Sequence, residues 1–68
     1  MNETMEDLYR VSVGSHRAAI DRAKRRIIEA ANECEFEAAL MAATDAMRHK
    51  AAVEELEFQR EAWEVNHG

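Results

Sequence analysis

The sequence predicts an all-α protein built as an antiparallel αα-hairpin. Its 68 residues contain no proline and only two glycines, so little in the chain interrupts a helix. Apolar residues recur at three- and four-residue spacing both before and after Asn32, which is the spacing of one helix face. Two helices joined by a short connection pack side by side in opposite directions. The length leaves room for a single domain.

The turn between the helices is predicted at Asn32. Asparagine tolerates the left-handed conformation that commonly ends a helix, and the apolar run 27–31 precedes it. Glu33, Glu35 and Glu37 follow, and acidic residues favour the first turn of a helix because its N-terminus carries a partial positive charge. Helix 2 is therefore predicted from about residue 35 to about residue 65.

Helix 1 is predicted from Ser15 to about Asn32, with residues 1–14 forming a separate short helix or arm. Gly14-Ser15 is the strongest break in the chain, and serine is a favoured N-cap. A helix that continues through Gly14 remains the alternative, at a cost of about 1 kcal/mol relative to alanine. His16 lies in the middle of the predicted inner face, which consists of Ile20, Ala23, Ile27, Ala30, Ala31 and Cys34.

Helix 2 carries two apolar faces, and helix 1 can cover only one of them. The other face should therefore pack against a second copy or another protein. One face consists of Phe36, Ala39, Leu40, Ala43, Met47, Ala51 and Phe58. The other lies roughly 140° around the helix and consists of Ala42, Ala46, Val53, Leu56 and Trp63. We expect the interface residues to be Phe36, Leu40, Met47, Val53, Leu56 and Trp63.

The size of the chain also favours self-association. Ordering 68 residues costs on the order of 100 kcal/mol, and a lone hairpin buries little apolar surface to offset that cost. Cys34 is the single cysteine, so an intramolecular disulfide cannot replace a larger core. We therefore predict a helical-bundle homo-oligomer whose smallest form is a dimeric four-helix bundle.

The turn region resembles two families that use helical hairpins. The run Phe36-Glu37-Ala38-Ala39-Leu40, followed by Ala43, Ala46 and Met47, is similar to the second helix of a tetratricopeptide repeat. The run Glu35-Phe36-Glu37 followed by alanines is similar to the turn of the small UVR hairpins of excision-repair and protease-adaptor proteins. Both resemblances imply a tight αα-turn, and neither assigns a functional residue to this chain.

Basic residues are concentrated in one part of an acidic chain. The net charge is −5, yet residues 9–26 contain six basic residues and one acidic residue. A basic helix lying beside an acidic one accounts for this split without any ligand. The same segment fits an anion site at the start of helix 1, where free N–H groups, a hydroxyl and guanidinium groups would meet. The candidate residues are Tyr9, Arg10, Ser15, His16, Arg17 and Lys24.

No pattern in the sequence indicates catalysis, a metal or a cofactor. Asp45 and His49 are four residues apart, so this pair does not have the Glu-x-x-His spacing of di-iron bundles. The three histidines show no spacing typical of a catalytic triad. Basic side chains spread over a broad side of helix 1 without an arginine-rich tail, which argues against binding to duplex DNA.

The sequence also indicates where the protein acts. The N-terminus lacks the basic-then-apolar form of a signal peptide, and no apolar run approaches membrane-spanning length. A single cysteine fits a reducing compartment. We therefore expect a cytoplasmic protein that makes no contact with a membrane.

The expected function is that of a small, non-enzymatic binding module that inhibits or adapts another protein by occupying it. In size and acidity the chain resembles small inhibitors encoded by phages and mobile elements, which implies action in the host cytoplasm. The alternative is an oligomer that sequesters a phosphate-bearing ligand, such as a nucleotide or a short or cyclic oligonucleotide, at basic clefts between subunits. A purely structural oligomer is a third hypothesis.

Overall fold

The computed structural model describes residues 2–67, with side chains described from residue 4 to residue 66. Helix α1 (Asn2–Asn32) and helix α2 (Phe36–His67) pack against each other in opposite directions. Together they form a rod that measures 50 × 16 × 10 Å. The predicted all-helical hairpin is therefore confirmed.

Helix α1 runs without interruption through Gly14, so the separate N-terminal arm over residues 1–14 is not formed. Val13 is only 5 % exposed, and Tyr9 and His16, one turn to either side, are half-buried. Packing on both sides of Gly14 therefore outweighs the modest cost of a glycine in a helix. Ser15 is consequently an exposed residue inside α1 and not its N-cap.

The left-handed residue of the turn is Cys34 and not Asn32, which is the last residue of α1. Cys34 has a φ of 61°, and its amide donates a hydrogen bond to the carbonyl of Ala31 (3.1 Å). The amide of Glu35 donates to the carbonyl of Ala30 (2.8 Å). These two bonds form a Schellman motif, which satisfies carbonyls that the end of a helix would leave free. Its geometry places the left-handed residue two positions after the predicted one.

The two helices meet along a seam whose positions alternate by three and four residues. On α1 these are positions 6, 9, 13, 16, 20, 23, 27 and 30, and on α2 they are positions 39, 42, 46, 49, 53, 56, 60 and 63. This alternation is the pattern of a two-stranded coiled coil. The buried residues of the described chain are Val13, Ala23, Ala30, Ala42 and Val53. None is larger than valine, so the helices can approach closely but bury little apolar area.

Candidate binding surfaces

A stripe of exposed apolar residues follows the side of α2 that α1 leaves uncovered. We call it the outer stripe, and it consists of Phe36, Leu40, Ala43, Met47, Ala51 and Phe58. Phe36 is 68 % exposed, Leu40 is 67 % exposed and Met47 is 61 % exposed. Their three- and four-residue spacing keeps them on one side of the helix over several turns. The outer stripe thus presents several large apolar side chains to solvent.

The six predicted interface residues divide between these two sides of α2. Val53 is buried, and Leu56 and Trp63 are half-buried, so these three side chains pack in the hairpin against α1. Phe36, Leu40 and Met47 belong to the outer stripe. The face that contains Val53, Leu56 and Trp63 was expected to pack against a second copy or another protein, but within the hairpin it is the face that α1 covers.

The open end of the hairpin is closed by Arg60. Its guanidinium donates two hydrogen bonds of 3.2 Å to the carboxylate of Glu6, one to each oxygen. It also lies 3.4 Å from a carboxylate oxygen of Glu64, and its Cζ is 4.7 Å from the ring centroid of Tyr9. The negative charge of Glu6 is the main cause that raises the pKa of Arg60 above its usual range. Arg60 is therefore a fixed positive charge that joins α1 to α2.

A groove of about 500 Å³ lies beside this network, and we call it the open-end groove. Its apolar wall is formed by Met5, Leu8, Leu56 and Trp63. Glu6 and Glu64 stand with Arg60 at its edge, so the charged residues of the groove sum to −1. Apolar walls with a few fixed polar groups are typical of binding pockets. On the helical wheel, the groove and the outer stripe lie on opposite sides of the seam.

The predicted anion-site residues do not form one pocket. Because α1 is continuous, Ser15 supplies none of the free helix-start N–H groups that the prediction required, and that part of the prediction is wrong. Tyr9 contacts Arg60, and Arg10 forms an ion pair with Asp7 (3.3 Å). His16 lies in the seam.

Arg17 and Lys24 continue the row that Arg10 begins, at seven-residue spacing along α1. Seven residues of helix correspond to two turns, or about 10.5 Å. Neither Arg17 nor Lys24 forms an ion pair or a hydrogen bond with the described part of the chain. Arg10, Arg17 and Lys24 thus form an exposed, evenly spaced row of positive charge.

A second groove, which is basic, was missed by the sequence analysis because its residues come from both helices. Arg26 of α1 and Arg48 of α2 line it together with Met41, Thr44 and Asp45, and its volume is about 560 Å³. Among the described residues, neither arginine has an ion-pair partner. We call it the turn-end groove. The missing information was the register between the helices, which the spacing within one helix does not give.

The middle of the seam contains a pair of histidines. The Nδ1 atoms of His16 and His49 are 2.8 Å apart, and the ring centroids are 5.0 Å apart with the planes inclined at 45°. On its other side, the Nε2 atom of His49 is 3.8 Å from a carboxylate oxygen of Asp45. Sequence analysis placed His16 on the inner face but did not identify its partner.

The described residues contain no cluster of three or more metal-ligating side chains. Neither described helix has an apolar stretch long enough to cross a lipid bilayer. No protein-family model, curated protein or solved structure matches this chain. The features that the structure itself offers for binding are the outer stripe, the open-end groove and the turn-end groove.

Proposed function

We propose that this hairpin is a small non-enzymatic binding module that self-associates as a helical bundle and acts by occupying a partner protein. The outer stripe is the observation that supports this proposal most directly. Large apolar side chains that stay exposed along several turns of a helix are typical of protein interaction sites. Single apolar residues scattered over a protein surface are common and do not indicate an interaction site.

Self-association through the outer stripe would add the apolar core that the hairpin lacks. In the described part of the seam only alanine and valine side chains are buried, while larger ones such as Leu56 and Trp63 are half-buried, and this is a small core for a chain of 68 residues. The small residues Ala43 and Ala51 stand between the large residues of the stripe, and such a pattern lets helices approach closely. A dimeric four-helix bundle is the smallest assembly that covers the stripe of each copy.

The open-end groove would remain available to a partner because it lies on the other side of the seam. Glu6 and Glu64 give its edge a net negative charge even with Arg60 present. A partner segment with apolar residues and a few basic residues would complement both its wall and its edge. This mode of action is that of the phage-encoded inhibitors that the chain resembles in size and acidity, and it would operate in the cytoplasm.

The assembly is tested by measuring molar mass with light scattering for Leu40→Asp and Met47→Asp. Both substitutions place a charge on the outer stripe, so we expect the oligomer to dissociate into smaller species. Val11→Asp is the matched control, because Val11 is 70 % exposed but lies on α1, away from the stripe. An unchanged mass in both stripe variants would exclude this surface as the interface.

Capture of a partner is tested separately with Leu8→Ser, which removes an apolar side chain of the open-end groove that is 61 % exposed. We expect this variant to retain the oligomer mass of the wild type and to lose partner binding in a pull-down. Retained binding in this variant would show that the groove does not hold the partner. Light scattering therefore tests the outer stripe and the pull-down tests the open-end groove, and a negative result in one does not decide the other.

A second candidate function is the sequestration of a phosphate-bearing ligand, such as a nucleotide or a short or cyclic oligonucleotide. The observation that favours it is a set of exposed cations without ion-pair partners among the described residues: Arg17, Arg22, Lys24, Arg25, Arg26 and Arg48. Arginine pairs bind phosphate through several parallel hydrogen bonds. A symmetric assembly would bring several copies of these residues around one ligand.

Native mass spectrometry of protein purified at low salt tests this candidate. Retained mass of nucleotide size, lost in Arg17→Ala, Lys24→Ala or Arg26→Ala, would support sequestration. Oligomers that carry no added mass and do not bind added nucleotides or short and cyclic oligonucleotides would exclude it. Lys50→Ala provides a control, because it removes a positive charge of α2 that lies outside this set.

A further inference from the structure

The His16–His49 pair has the geometry of one direct hydrogen bond between two rings. The centroid separation of 5.0 Å is close to the longest that an Nδ1···Nδ1 distance of 2.8 Å permits. Both nitrogen atoms therefore lie near the line that joins the ring centres. One Nδ1 carries a hydrogen and donates it, and the other must accept through its lone pair.

The charged surroundings of the two rings are unequal. Asp45 of α2 faces the outer nitrogen of His49 at 3.8 Å. Among the described residues, no charged side chain of α1 forms an ion pair with either ring, and Lys50 of α2, the sequence neighbour of His49, is exposed. Arg17, the neighbour of His16 in sequence, is exposed. In the described part of the chain, a carboxylate thus lies within ion-pair distance of His49 and none lies within that distance of His16.

The pair can accept one proton without losing its hydrogen bond. If that proton binds His49, its Nδ1–H donates to His16 and its Nε2–H faces Asp45. A second proton would have to occupy the Nδ1 lone pair of His16, which is the acceptor. Two N–H groups would then point at each other, and two like charges would stand between the helices in a half-buried site.

We infer that the His16–His49 pair is a proton-sensitive latch that holds the middle of the hairpin closed and releases it when the second proton binds. Histidine is the side chain that ordinarily changes charge between about pH 5 and pH 8. Acidification of the solution therefore drives the release. This inference does not depend on the proposed function, because it concerns contacts within one chain.

The stability of the hairpin depends on pH because the folded and unfolded chains bind different numbers of protons. In the closed hairpin the pair holds at most one proton beyond those of the two neutral rings. In the unfolded chain the rings are separated, and each can bind one additional proton. Because the unfolded chain binds more protons in acid, the stability of the hairpin falls as the pH falls. The steepest slope for one proton is about a tenfold loss in the folded-to-unfolded ratio per pH unit.

Urea unfolding of the full chain at a series of pH values from about 7.5 to about 5.5 tests the latch, since most carboxylates stay ionised over that range. We expect the wild-type midpoint to fall with pH and the midpoint of His16→Leu/His49→Leu to stay nearly constant. His67→Gln, which removes the third histidine, should behave like the wild type. An equal fall in wild type and double variant would overturn the inference.

Nuclear magnetic resonance of the histidine side chains keeps the test decisive if the double variant does not fold. In the wild type we expect the ring nitrogen signals to titrate in two separate steps, as coupled sites do. Contacts between α1 and α2 near the pair should disappear together with the second step. Two fully protonated rings in a hairpin with those contacts intact would overturn the inference.

Discussion

Glu6 and Arg60 are 54 residues apart in sequence, yet their side chains form a two-pronged pair with both donor–acceptor distances at 3.2 Å. The pair ties the first turns of α1 to the last turns of α2, where the seam would otherwise fray. Arg60→Lys keeps the positive charge but loses the two-pronged geometry.

We expect Arg60→Lys and Arg60→Gln to speed hydrogen exchange in residues 4–12 and 56–64 while leaving the turn end unchanged. Arg48→Gln removes an arginine without an ion-pair partner in the described chain and should have no such effect. The pKa of Arg60 is raised, so its contribution is fully present below the ordinary arginine range and is lost only as the pH rises through that raised pKa. Equal exchange in wild type and both Arg60 variants would contradict this role.

Gly14→Ala should stabilise the hairpin by about 1 kcal/mol, because alanine is the better helix former by that amount. Gly14 lies inside α1, and a Cβ atom added there would meet nothing within 4 Å. The gain is measured as a higher urea midpoint with an unchanged slope. Ala18→Gly, at an exposed position of the same helix, should lose a similar amount. A stability loss in Gly14→Ala would indicate that residue 14 is not helical in solution.

Cys34→Gly should also stabilise the protein, by about 1 kcal/mol, because a residue with a side chain is strained in the left-handed region and glycine is not. Cys34 has a φ of 61°. Thermal unfolding under reducing conditions gives the comparison. Cys34→Ala removes the thiol but keeps a Cβ atom, so it should not gain stability. If both variants gained equally, the thiol and not the backbone would be responsible.

Ala23→Leu should destabilise the hairpin by about 1–3 kcal/mol, since a larger side chain in a close-packed seam forces the helices apart. Ala23 is only 3 % exposed. Ala18→Leu makes the same change at an exposed position of α1 and should be nearly neutral. Chemical denaturation of both variants measures the difference. A neutral Ala23→Leu would mean that the helices do not approach closely at this position.

The sequence by itself determined the two helices and placed the turn to within a few residues. Residue spacing identified much of the inner face of α1, since Ala23 and Ala30 are buried. Ala31 and Cys34, which were predicted for the same face, are exposed because α1 ends beside them. The same spacing revealed both apolar faces of α2. These features are local, because each depends on residues within a few turns of one helix.

Only the tertiary structure decided what depends on the register between the helices. Spacing within α1 and within α2 fixes which side each residue faces, but not how far one helix is displaced along the other. That displacement brings Glu6 to Arg60, His16 to His49 and Arg26 to the groove of Arg48. The rotation of α2 about its own axis decides that α1 covers Val53 and leaves Leu40 exposed. Packing beside Gly14 likewise overrode a local break signal, because contacts with α2 outweigh the intrinsic preference of one residue.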